Sequence, residues 1–177
     1  MSQVSKLNMV NSKLGATMPG QQTTRYIYDS VTAAAGQTNF NFFQTFAGKT
    51  DLQSNLTTNK LDSSESMVIK SIYLSGNLTQ NLSGHSNLNI TVGNQVVLKD
   101  FNIAFNAGNR GVSFDRLHSG FNNNDKVEVR LLTDIVIPPQ VNFKATLELA
   151  EGGTLVGENI TLGFKGYGTI FSAGSTF

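Results

Sequence analysis

Residues 141–150, VNFKATLELA, alternate without a fault. Val141, Phe143, Ala145, Leu147 and Leu149 fall on one parity, and Asn142, Lys144, Thr146 and Glu148 on the other. A period of two sends successive side chains to opposite faces of a pleated ribbon, so this stretch predicts a strand with one buried and one wet face. The same pattern recurs in short runs separated by Gly, Asn, Asp and Pro clusters. RYIYDSV (25–31) is aromatic and β-branched, and TNFNFF (38–43) sets Phe40 and Phe42 against Asn39 and Asn41. SMVIKSIYL (66–74) places Val68, Ile72 and Leu74 on one parity and Ile69 and Tyr73 on the other. Further runs lie at 87–92, 95–100, 101–105, 108–117, 125–137 and 159–171, and Pro138-Pro139 stops the ladder before the alternating stretch because proline has no N–H to donate.

One segment changes period. In KTDLQSNL, Leu52 and Leu56 stand four apart, and Thr50 with Gln53 fits a capping box, which predicts a short helix over 50–57. Eight to ten strands, one short helix and no βαβ rhythm predict an all-β chain, an antiparallel sandwich or barrel. The long connections at 46–66 and 75–87 favour a jelly-roll-like order over a simple meander. Residues 1–24 are polar and aperiodic, with a turn at Met18-Pro19-Gly20, and read as an extended N-terminal arm ahead of a sandwich domain at 25–177.

Composition narrows the function classes. The chain has 177 residues, enough for a full core without staples, and no cysteine, which excludes disulfides and thiolate metal sites. Thirteen Lys and Arg against twelve Asp and Glu leave a net charge of +1, so no direct nucleic-acid contact is predicted from electrostatics. No window is apolar over the ~18 residues a membrane helix needs, and the first residues lack the apolar run of a secretory signal. Asn55, Asn77, Asn81, Asn89 and Asn159 each open an N-x-[ST] triplet, which an Asn- and Thr-rich composition produces by chance.

No cluster announces chemistry. His85 is followed by Ser86 and Asn87, and His118 by Ser119 and Gly120, so neither forms the His-x-Asp/Glu pair of a jelly-roll metalloenzyme. Asp62 and Glu65 read as a solvated or capping pair, and Asn122–Asp125 as a turn. The glycine-rich pieces GNRG, EGGTLVGE and GFKGYG lack the strand–loop–helix setting of a phosphate loop, and read as turns or places of close backbone approach. The chain is therefore predicted to be non-enzymatic, with no catalytic residue, cofactor or metal. Twelve Phe and four Tyr with no Trp point to dry core and interface rings, leaving Tyr26, Tyr28 and Tyr73 as an alternative small ligand surface.

FFQTFAGKTDLQSNL (42–56), followed at a short interval by KLDSSESMVIKSIYL (60–74), resembles bacteriophage virion structural proteins. In that pattern an aromatic strand end leads into K-T-x-L-x-x-N, a polar loop, and a strand like V-I-K-S-I. The resemblance covers residues 36 to 75. It implies a jelly-roll capsid or capsid-associated subunit, located in the virion, that assembles with copies of itself and with other virion proteins. On this reading Phe40 and Phe42 face the core, and Phe43 and Phe46 close the strand end against the helix. Met18, Pro19, Tyr26, Tyr28, Phe43, Phe46 and Phe177 are the candidate interface residues. The alternative is a sandwich module that binds a glycan or host surface.

Overall fold

The computed structural model describes residues 20–76, 86–102, 125–149, 157 and 159–171. Among these residues eight strands run in chain order: β1 (Gly20–Thr32), β2 (Asn39–Phe42), β3 (Glu65–Gly76), β4 (Ser86–Val92), β5 (Gln95–Phe101), β6 (Asp125–Ile137), β7 (Phe143–Leu149) and β8 (Asn159–Phe171). They form two four-stranded antiparallel sheets, ordered β1-β8-β3-β6 and β2-β7-β4-β5. Pairing is nested: first strand with last, second with seventh, third with sixth, fourth with fifth. β4 and β5 join through a two-residue hairpin in which Gly93 supplies the positive φ (61°) that the turn demands.

Burial follows the alternation. In β7, Phe143, Ala145, Leu147 and Leu149 are buried while Lys144 and Glu148 are exposed, and in β2 Phe40 and Phe42 are buried between exposed Asn39 and Asn41. Val141 of the alternating stretch lies ahead of the strand and is only half-buried. The opposite sheet contributes Ile27, Ile69, Ile72, Leu74, Leu162 and Phe164 to the same core. Removing this apolar area from water is the main stabilising term for a chain without staples.

Three expectations are corrected. The helix over 50–57 is a single turn: Gln53 and Ser54 N–H both donate to the Thr50 carbonyl, at 2.8 and 3.0 Å, and the chain then leaves the spiral. The Gln53 side chain does reach back to the Thr50 N–H (3.0 Å), as the capping motif requires. Propagation loses because Ser54 forms a bridge to Asp29, so the next residues align with β1. Leu52 is consequently 89% exposed while Leu56 packs on the core.

In β3 a register shift between Ile69 and Ser71 breaks the parity. Met67 and Ile69 face the core before the shift, and Ile72 and Leu74 after it, so Val68 belongs to the outer face. Finally, β1 begins at Gly20, five residues before the expected domain boundary, which places 20–24 in the sheet; the remainder of the expected arm lies outside the described residues. So do most of the strands expected within 101–117, apart from Phe101, which ends β5.

Candidate interaction surface

The two flanks of the sandwich, where sheet edges meet, differ. On the β1/β2 flank, residues 43–56 lie along the outer edge of β1. Ser30 N–H donates to the Gln53 carbonyl (2.7 Å) and Asn55 N–H to the Tyr28 carbonyl (3.4 Å). The Asn55 side chain completes the cover: its Oδ1 accepts from Tyr28 N–H (2.9 Å) and its Nδ2 donates to the Tyr26 carbonyl (2.7 Å). An edge strand otherwise presents unpaired backbone groups to any passing chain, and here a loop satisfies them.

Among the described residues the β5/β6 flank is open: β5 pairs only with β4 and β6 only with β3. Between them lies a groove of about 700 Å³ lined by Val97, Leu98, Phe101, Leu131, Leu132 and Ile135, among others. Its floor reaches the core, since Leu131 and Ile135 are buried and Leu98 and Phe101 pack against core residues. Its lips are apolar and wet: Val97 is 41% exposed and Leu132 77%. The signal for this site in the sequence is the pair Leu131-Leu132, two apolar residues in succession within an alternating strand. Around Leu131–Asp134 the register with β3 slips, four residues of β6 (131–134) standing opposite one of β3 (Lys70), and that bulge throws Leu132 outward.

A second surface covers the outer face of the β1-β8-β3-β6 sheet. The chain has four tyrosines, and Tyr26, Tyr28, Tyr73 and Tyr167 all stand on this face. Lys165 Nζ lies 5.7 Å from the Tyr26 ring centroid and 3.4 Å from Glu128 Oε1, and Ser71 Oγ donates to the same Glu128 oxygen (2.7 Å). Lys70, at the β3 bulge, pairs with Asp134 (2.6 Å) and sits 5.9 Å from the Tyr167 centroid. Tyr73 lies flat over Gly163, where an added Cβ would fall 1.9 Å from the ring. Burial raises the Tyr73 phenol above its usual value, and Tyr28 beside it adds to the effect.

The candidate residues distribute unevenly. Tyr26 is 47% exposed, Tyr28 is half-buried with its hydroxyl donating to the Asp51 carbonyl, and Phe46 packs half-buried on the core. Phe43 is wholly inside: its ring meets Phe143 and Phe164 at centroid distances of 5.3 and 5.1 Å, so it offers a partner nothing. Met18, Pro19 and Phe177 lie outside the described residues, as do His85 and His118. Glu65 is taken by Arg25 at 2.8 Å. Among the described residues no group of His, Cys, Asp or Glu could hold a metal ion, and no helix is long and apolar enough to cross a membrane.

No family model matches the chain. No curated protein matches it either. Among solved structures the chain is similar to the major capsid protein P2 from bacteriophage PM2, at 6% identity and a TM-score of 0.40 over 90% of this chain and 48% of that one. It thus spans about half the length of that protein. It is also similar to the cyanophage Pam1 capsid asymmetric unit (14% identity, TM-score 0.35, 88% of this chain and 92% of that one). A third likeness is to turnip yellow mosaic virus (10% identity, TM-score 0.32, 90% and 85%). At such low similarity the strand order and surfaces of the chain itself must carry any reading of its role.

Proposed function

We propose that the chain is a non-enzymatic virion structural protein, a jelly-roll subunit that builds or decorates a phage particle through contacts with copies of itself and with other virion proteins. The observation that carries this reading is the nested pairing. Strand orders 1-8-3-6 and 2-7-4-5 result when one long antiparallel hairpin is rolled into two facing sheets, the jelly-roll order of shell domains, lectins and cupins. Within that set, a cupin-type enzyme needs ligating side chains converging inside the barrel, whereas the interior here is filled by Phe40, Phe42, Phe43, Phe143 and Phe164. A core this full leaves function to the outside. Residues 1–19, read as an arm, add a further contact in this proposal.

The second reading, a module for a glycan or host surface, is favoured by the collection of all four tyrosines on one sheet face. Light scattering and negative-stain microscopy of the purified full chain separate the two. The structural role predicts discrete multimers or shells. A strict monomer that retains a defined sugar on a glycan array would replace it with the second reading.

A further inference from the structure

We infer that the open β5/β6 flank is a self-association face, and that its occupant is the same flank of a second copy related by a two-fold axis. This rests on the structural role proposed above and names the contact through which it starts. Two edge strands that no described strand pairs, with an exposed valine and a protruding leucine, form a template for a further chain. The opposite flank is closed by residues 43–56 through the bonds to Tyr26, Tyr28 and Ser30, so it is not the natural mate.

Charge selects a second copy of the same face. On the exposed side of β5, Lys99 and Asp100 stand next to each other, their side chains 76% and 63% exposed and 4.0 Å apart. A rim that carries both signs at adjacent positions complements itself when two copies meet antiparallel, Lys99 of each facing Asp100 of the other. A uniformly charged partner would meet one attraction and one repulsion there. The apolar element is self-complementary too: Leu132, 77% exposed, projects beside the groove that Val97, Leu98 and Phe101 help to line. In an isologous pair each protruding leucine packs on the other copy's groove, which is the usual closed solution for a homodimer.

The test uses the full chain and its lack of cysteine. Sedimentation velocity over a concentration series is run for the wild type, Leu132→Asp, Val97→Asp and Leu52→Asp. Leu52 is exposed on the closed flank and serves as the control. Circular dichroism and melting temperature confirm that each variant folds. The expected result is that Leu132→Asp and Val97→Asp weaken self-association at least about tenfold while Leu52→Asp does not. In parallel, Val97→Cys and Leu132→Cys single variants are mixed under mild oxidation, and a covalent dimer between them is expected. A wild type that associates, with no cross-link and no effect of either aspartate, overturns this face and leaves the structural role standing. A wild type that stays monomeric at every concentration overturns this face, and with it the self-association part of the proposed role.

Discussion

Asp29 accepts the backbone N–H of Phe43 at 2.7 Å, and both residues are fully buried. The second carboxylate oxygen accepts from Lys49 Nζ at 2.6 Å. Phe43 itself holds φ at 60°, a left-handed backbone that a bulky L-residue rarely adopts. The carboxylate therefore pins the one residue that turns the chain out of β2 while keeping its ring against Phe143 and Phe164. Asp29 thus ties β1 of one sheet to the end of β2 in the other.

Removing that tie should be costly. Asp29→Ala strands the Lys49 ammonium and the Phe43 N–H, and the expected loss is about 3–5 kcal/mol of unfolding free energy, as for other broken buried pairs. Lys49→Met keeps the Phe43 bond but leaves the wholly buried carboxylate without its cation, so it should cost a similar amount. Urea denaturation of both variants and of the double variant checks this. A double loss close to either single loss shows that the two side chains act as one unit, and a double loss equal to the sum shows that they do not.

The glycines of β8 should not respond alike. A Cβ on Gly166 would fall 1.9 Å from the Val68 carbonyl oxygen, a backbone atom beside the β3 bulge. A Cβ on Gly163 would instead meet the Tyr73 ring, which can swing out to solvent. Gly166→Ala is expected to destabilise by about 3 kcal/mol, at the upper end for overpacking, whatever the residue at 73. Gly163→Ala should cost less, and its cost should largely vanish in a Tyr73→Ala background. A double-mutant cycle followed by thermal melts measures this.

How these features read in the sequence depends on how local their causes are. The alternation in β2 and β7 is a property of a few adjacent residues, and Phe40, Phe42, Phe143 and Leu147 are buried as it requires. The glycines of GFKGYG were legible as places of close approach, though not what approaches them. The helix over 50–57 failed for a distant reason: its backbone groups bond Tyr28 and Ser30, more than 20 residues away, and no local rule sees that competitor. The β3 parity failed because one extra residue at the bulge moves every later side chain to the other face. The open flank went unread because it is made by two strands, β5 and β6, that only the fold brings together.

Asn55 works as a substitute strand, and its loss should expose an edge. Asn55→Ala removes the two side-chain bonds to Tyr28 and Tyr26, for an expected cost of about 1–3 kcal/mol at ordinary net values per bond. The larger effect should be on association: static light scattering should show irregular aggregation that rises with concentration, as for an uncovered strand. Asn55→Asp keeps the acceptor for Tyr28 N–H but sets a carboxylate oxygen against the Tyr26 carbonyl. It should fall near the alanine variant.

Tyr73 makes the alkaline limb of stability a readout of the tyrosine face. Its folded value is raised, by burial first and by Tyr28 second, above the 10.0 of a free tyrosine. Above that pH the unfolded chain loses the phenolic proton while the folded chain still holds it, so the folded state binds more protons and stability falls as pH rises. The contribution is fully present below pH 10 and is lost between 10 and the raised folded value. Unfolding free energy from urea titrations at pH 8 to 11 should therefore decline more steeply for the wild type than for Tyr73→Phe, which has no proton to lose. Tyr28→Phe, which removes only the smaller cause, should flatten the slope less, and parallel slopes in all three proteins would show that Tyr73 is solvated on this face.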